Sequence, residues 1–98
     1  MRWEITEEGK VKIAALGNIV TIDLRCVVGG GCCCIDQYLP VVVEGKPEDE
    51  APYNVVKVDE VTLYYPHKLF LIAEERPARI TSSEGWFPHG LEVENVRL

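Results

Sequence analysis

Three cysteines stand side by side, Cys32-Cys33-Cys34, directly behind three glycines, Gly29-Gly30-Gly31. A thiolate is a nucleophile and a soft metal ligand. Glycine permits tight turns and close backbone approach. A glycine run can also aim successive backbone N–H groups at an anion, which lowers the pKa of a neighbouring thiol. Two chemistries follow. In the first, the thiolates ligate an iron–sulfur cluster or a thiophilic metal such as Zn²⁺ or Cu(I). Three consecutive thiols do not all face one ion, because adjacent side chains diverge in extended backbone; Cys32 and Cys34 share a side there. A closed four-ligand site then needs a further donor, from His89, Cys26 or a second subunit. In the second, neighbouring thiols cycle a disulfide, one attacking and the next resolving. Cα atoms across a trans peptide lie ~3.8 Å apart, whereas a relaxed disulfide wants ~4.4–6.8 Å. A Cys32-Cys33 or Cys33-Cys34 bridge is therefore strained, and strained bridges are readily reduced. Beside both stands a third reading, in which the loop is a small buried turn and the protein an interaction module with inert cysteines.

Cys32, Cys33 and Cys34 are thus the candidate reactive and metal-ligating groups, with His89 as an added ligand. Gly29, Gly30, Gly31 and Tyr38 are the residues expected to frame a bound group, Tyr38 by packing against the loop or orienting a thiol. Other chemistry lacks its motif. There is no Cys-x-x-Cys and no His pair at zinc spacing. The glycines lack the Gly-Lys-Ser/Thr ending of a phosphate loop and the spaced pattern of a dinucleotide fold. Ser82-Ser83 has no nucleophile-elbow context. Cys26 reads as core filler on a strand, His67 as a solvated turn residue, and Trp86 and Phe87 as core cover. For His89, packing in an aromatic turn stands beside the ligand role.

The elements that must position the thiols can be read on either side of them. Thr6-Glu7-Glu8 predicts a helix start, with Thr6 as cap and the acids suiting the helix dipole. Val11, Ala14 and Ala15 supply the apolar face, Ile13 and Leu16 widen it, and Gly17 is the stop. From Asn18 the period becomes two: Val20, Ile22, Leu24 and Cys26 face one way, Thr21, Asp23 and Arg25 the other, predicting a half-buried strand that runs into the Gly-Cys loop. Tyr38 to Val43 is β-rich, and Pro40 places it at an edge or a bulge. Residues 45–52 form an acidic, proline-flanked loop. Tyr53 to Val58 and Val61 to Tyr65 predict a hairpin around Asp59-Glu60. Leu69 to Ala73 is a short strand or one helical turn. Ala78 to Ser82 and Leu91 to Val96 are the last strands, separated by the aromatic turn Gly85 to Gly90. One amino-terminal helix and six or seven short strands predict a mainly β, α+β chain folded as a twisted β-sandwich or open barrel, a single domain over residues 1–98.

Bulk properties narrow the setting. Sixteen acidic residues against ten basic ones give a formal charge of −6 across 98 residues. That balance opposes nucleic acid and anionic membrane as partners. No apolar stretch reaches the ~18 residues of a membrane span, and Met1 to Glu8 lacks the pattern of a signal peptide. Contiguous cysteines do not make a disulfide scaffold. A cytoplasmic protein is expected.

Several features in order are similar to a known family. Ile5-Thr6-Glu7-Glu8, the strand Val20 to Val28, the glycine run ending in Cys, Tyr38, and the closing Gly90-Leu91-Glu92-Val93-Glu94-Asn95-Val96 together resemble the HesB-like proteins, the A-type iron–sulfur carriers. The adjacent cysteines, Gly45-Lys46-Pro47, Trp86 and Leu91-Glu92-Val93-Glu94 look closer to an offshoot, the CC/Se-motif proteins. The resemblance implies a HesB-like fold, iron–sulfur or metal–sulfur handling at the loop thiols, thiol or iron–sulfur partner proteins, and thiolates shared across a homodimer. It departs in one respect. A-type carriers have a Cys-Gly-Cys pair after the last strand, and this sequence reaches Val96-Arg97-Leu98 where the pair would begin. The resemblance therefore implies the fold more strongly than the activity. The loop register is open by one residue: counting from the glycines matches the family's loop cysteine to Cys32, and counting back from Tyr38 matches it to Cys33.

Overall fold

A computed structural model describes residues 2–28, 36–83 and 88–97, with backbone alone at 25–28, 36–38 and 88. It is mainly β with one short helix. The elements run β1 (Trp3–Ile5), α1 (Glu7–Ala14), β2 (Ile19–Val28), β3 (Asp36–Glu44), β4 (Tyr53–Val58), β5 (Val61–Pro66), β6 (Phe70–Leu71), β7 (Ala78–Ser82), a 3₁₀ turn (Pro88–Gly90), β8 (Leu91–Glu94) and β9 (Val96–Arg97). They form a four-stranded sheet β3-β2-β5-β4, a three-stranded sheet β1-β7-β8 and a two-stranded ribbon β6-β9. Among the described residues no sheet closes into a barrel. No helix among them is long and apolar enough to cross a membrane.

The helix begins as the sequence predicts. Thr6 is extended, and its hydroxyl accepts from the Gly9 N–H at 3.1 Å, which satisfies one of the donors a helix start leaves free. It ends at Ala14 with Ala15 as its cap, three residues before the expected stop, and the turn that follows closes at Gly17, whose φ of 89° is the left-handed conformation glycine adopts without penalty. Its buried face is the predicted one only at Ile13 and Leu16. Val11 is 71% exposed, and Ala14 and Ala15 are exposed too; Gly9 and Ile13 are buried, with Leu16 packed on the core. The cause lies at Gly9. A Cβ there would sit 3.3 Å from the Ile80 carbonyl oxygen and 3.1 Å from Thr6 Oγ1. The missing side chain lets α1 lie close on β7, and the helix turns Gly9 and Ile13 inward.

The core draws on nearly every element. Ile13, Val20, Ile22, Val42, Leu63, Ile80 and Leu91 are among its fully buried members, with Trp3 and Tyr65 rings 5.3 Å apart at its margin. Strand alternation supplies these residues: Val61, Leu63 and Tyr65 point inward from β5, Ala78 and Ile80 from β7. β1 was not anticipated. It pairs in parallel with β7, Trp3 opposite Ala78 and Ile5 opposite Ile80, and brings the strands among the described residues to nine. The predicted last strand is two strands, β8 and β9, broken at Asn95 with φ 65°.

The β4–β5 hairpin turns at Asp59, φ 54°, as its sequence signals. Thr21 departs from its predicted outward place. It is 4% exposed and donates to the Gly45 carbonyl at 2.7 Å, because the segment after β3 folds back over β2. β3 is an edge strand, as Pro40 requires of a residue with no N–H to give.

Candidate functional site

The two longest strands hold the thiol segment. β2 and β3 pair antiparallel from Val20 opposite Glu44 to Val28 opposite Asp36. Residues 29–35 therefore join the two ends of one ladder, where paired Cα atoms lie ~4.5–5.5 Å apart. β2 also pairs with β5, but only over Ile19–Thr21. Beyond Thr21 its ladder is with β3 alone among the described residues. From Thr21 to Val28 the strand rises roughly 23 Å at ~3.3 Å per residue. The paired arm is rooted in the core by Val20, Ile22 and Val42, all 0% exposed.

Gly29, Gly30, Gly31, Cys32, Cys33 and Cys34 lie outside the described residues, as do Trp86 and Phe87. Tyr38 stands in β3 directly opposite Cys26 in β2, so the ladder fixes the backbone of both.

His89 is described. It is exposed rather than packed, on the turn Pro88–Gly90 at φ 60°. Gly90 beside it is half-buried and held by two donors. Lys12 Nζ donates to the Gly90 carbonyl at 2.9 Å, and the Ser83 N–H donates to the same oxygen at 2.8 Å. The turn packs against β3, the strand that leaves the thiol segment. Among the described residues no group of three or more His, Cys, Asp or Glu side chains could hold a metal.

The loop 45–52 does more than solvate. Glu50 of this loop acts on Tyr64, and Asp23 of β2 acts on Tyr53. Burial, then the charge of Asp23, holds the Tyr53 phenol above its ordinary pKa. The bond to Glu50, then burial, does the same for Tyr64. His67 is exposed, as its turn suggests, yet its Nε2 donates to the Ala51 carbonyl at 2.9 Å. Sequence reasoning missed these neighbours, which the pairing of β4 with β5 brings to the open end of the hairpin.

A second unanticipated residue is Asn95. Its Oδ1 accepts from the Ala73 N–H at 2.7 Å, and its Nδ2 lies 3.0, 3.1 and 3.2 Å from the carbonyl oxygens of Ala73, Arg76 and Pro77. The break in the alternation of Leu91 to Val96 was its signal.

The model of the CC/Se motif containing family matches residues 1–96. No curated protein and no solved structure matches the chain.

Proposed function

Because the chain belongs to the CC/Se motif containing family, we propose that it is a small cytoplasmic thiol protein that handles iron–sulfur clusters or thiophilic metals by thiolate ligation at Cys32, Cys33 and Cys34. The observation that carries this reading is the adjacency of three thiols in the segment that closes the β2–β3 ladder. Both ends of that segment are tied to paired strands, which limits how far its thiols can separate. The donor set fits such a group, since thiolates are the ligands that iron–sulfur clusters and soft metals take. In extended backbone only two of three consecutive thiols share a side, which would leave a four-ligand centre incomplete. Thiols of a second copy, or His89 on the Pro88–Gly90 turn, would complete it. The HesB-like kinship read from the order of motifs belongs to the same proposal and supplies the class of partner, thiol or iron–sulfur proteins.

Adjacency also favours a second reading, a redox protein that cycles a vicinal disulfide. Two thiols lose two electrons and two protons to an oxidant, such as a partner's disulfide, and the strained bond formed returns them readily.

Anaerobic reconstitution of the reduced protein with iron and sulfide tests the first reading, with bound iron, bound sulfide and the visible charge-transfer spectrum as readouts. The expected result is stoichiometric cluster that is lost when Cys32, Cys33 and Cys34 are changed to Ser. Absence of cluster in the unaltered protein refutes it. Reversible loss of two loop thiols under mild oxidant in metal-free protein would then establish the second.

A further inference from the structure

A groove of about 390 Å³ runs between α1 and the β4–β5 turn. Its floor includes Val11 and Ala14, the apolar helix positions that the fold leaves outside the core. Val11 is 71% exposed and with Ala14 gives the groove an apolar strip beside its charged wall. The walls carry Glu7, Asp59 and Glu60 against a single Lys10. Lys10 Nζ lies 2.6 Å from Asp59 and 3.6 Å from Glu7, so it bridges the helix to the turn. Glu60 has no ion-pair partner among the described residues. Three carboxylates against one ammonium leave the lining two negative charges in excess.

We propose that this groove docks a short segment of another protein in which a lysine or arginine stands beside an aliphatic side chain. The aliphatic group covers Val11 and Ala14, and the cation meets Glu60 and the carboxylate side of Glu7. Charge complementarity selects this occupant. A second copy is disfavoured, because the chain itself carries a formal charge of −6. The groove lies at the Ile19 end of β2, beside Asn18, while the thiol segment follows Val28. Nine strand steps of ~3.3 Å separate the two ends by roughly 30 Å, so a partner can dock there without covering the thiols.

The test is amide chemical-shift mapping of ¹⁵N-labelled protein with an acetylated, amidated hexapeptide of alternating lysine and leucine, beside one of alternating glutamate and leucine. Saturable shifts confined to residues 7–18 and 59–61 are expected with the lysine peptide alone. Glu60→Lys should weaken binding roughly fivefold, the scale of exposed charge pairs, and Val11→Asp should weaken it further. Both positions are exposed, and circular dichroism checks that both variants fold. Equal shifts from the two peptides, shifts centred elsewhere, or no shifts overturn the proposal. So do shifts at these amides that depend on protein concentration alone, which would assign the groove to a second copy.

Discussion

Asn95 offers a sharp test of how the carboxyl end is held. Its amide ties the break between β8 and β9 to residues 73–77, and its backbone is left-handed at φ 65°. Asn95→Gly keeps the backbone conformation and removes the side-chain bonds. Two effective bonds at about 0.5–1.5 kcal/mol each give a loss of about 2 kcal/mol. Asn95→Ala loses the same bonds and adds the left-handed cost of an ordinary side chain, roughly 1–2 kcal/mol, for a total of about 3–4 kcal/mol. Asn95→Asp keeps an acceptor for the Ala73 N–H but turns a carboxylate toward three carbonyl oxygens. That environment raises its pKa above the unfolded value of about 3.9. The proton is then held more tightly in the folded state, so the deficit of Asn95→Asp is small below that pH and grows as pH rises through the raised value. Urea unfolding followed by circular dichroism at pH 7 and pH 4 reads all three. With a slope of about 1–2 kcal/mol per M, Asn95→Gly should lower the midpoint by roughly 1–2 M, and Asn95→Ala should lower it further. Equal midpoints for the Gly and Ala variants would refute the backbone argument. An Asp variant whose deficit ignores pH would refute the electrostatic one.

Two further outcomes are expected. Ile13→Ala should cost about 2–5 kcal/mol as a fully buried truncation, while Val11→Ala, on the exposed face, should stay within about 0.5 kcal/mol; comparable losses in denaturant unfolding would show that the helix is rotated. Tyr53, Tyr64 and Lys10 all hold their protons above ordinary values of 10.0, 10.0 and 10.5, so their contribution is complete below about pH 10 and is lost as pH rises through the raised values. The double change Tyr53→Phe and Tyr64→Phe should therefore flatten the fall in Tm above pH 10, and an unchanged slope would remove the phenols from the account.

What the sequence made legible was the local part of the fold. Thr6 marks the helix start, and Gly17 the turn just past its end, because caps and turns act over a few residues. The β4–β5 hairpin and β7 follow from alternation and turn chemistry, which are also local. The features it concealed depend on partners far along the chain. Trp3-Glu4-Ile5 is too short to announce a strand, and becomes one only because β7 lies beside it. The helix face was misread because periodicity counts Val11 and Ala14 as apolar but gives no weight to Gly9, whose missing Cβ decides the approach to Ile80. Thr21 looked outward until the chain after β3 folded back to give it the Gly45 carbonyl. His89 looked packed because its neighbours are aromatic, yet Lys12 and Ser83 hold the turn through the Gly90 carbonyl and leave the imidazole at the surface.

β2 links the two surfaces proposed to be functional, and its two ends are held unequally. At Ile19–Thr21 it has strands on both sides, with Thr21 pinned to Gly45 and Val20 in the core. Toward Val28 its described ladder bonds go to β3 alone. Opening of such a ribbon breaks fewer bonds than opening of the sheet, so its local stability is lower. A thiol centre of the proposed kind would gain from that asymmetry. Its ligands would belong to the segment that follows the ribbon, while the proposed docking groove lies where β2 has strands on both sides. Binding of a metal at the thiols would then stabilise the ribbon, since ligation contributes its free energy to whatever structure forms the site. The same change at the groove end would find little left to order, so the proposed docking and ligand exchange would not block each other.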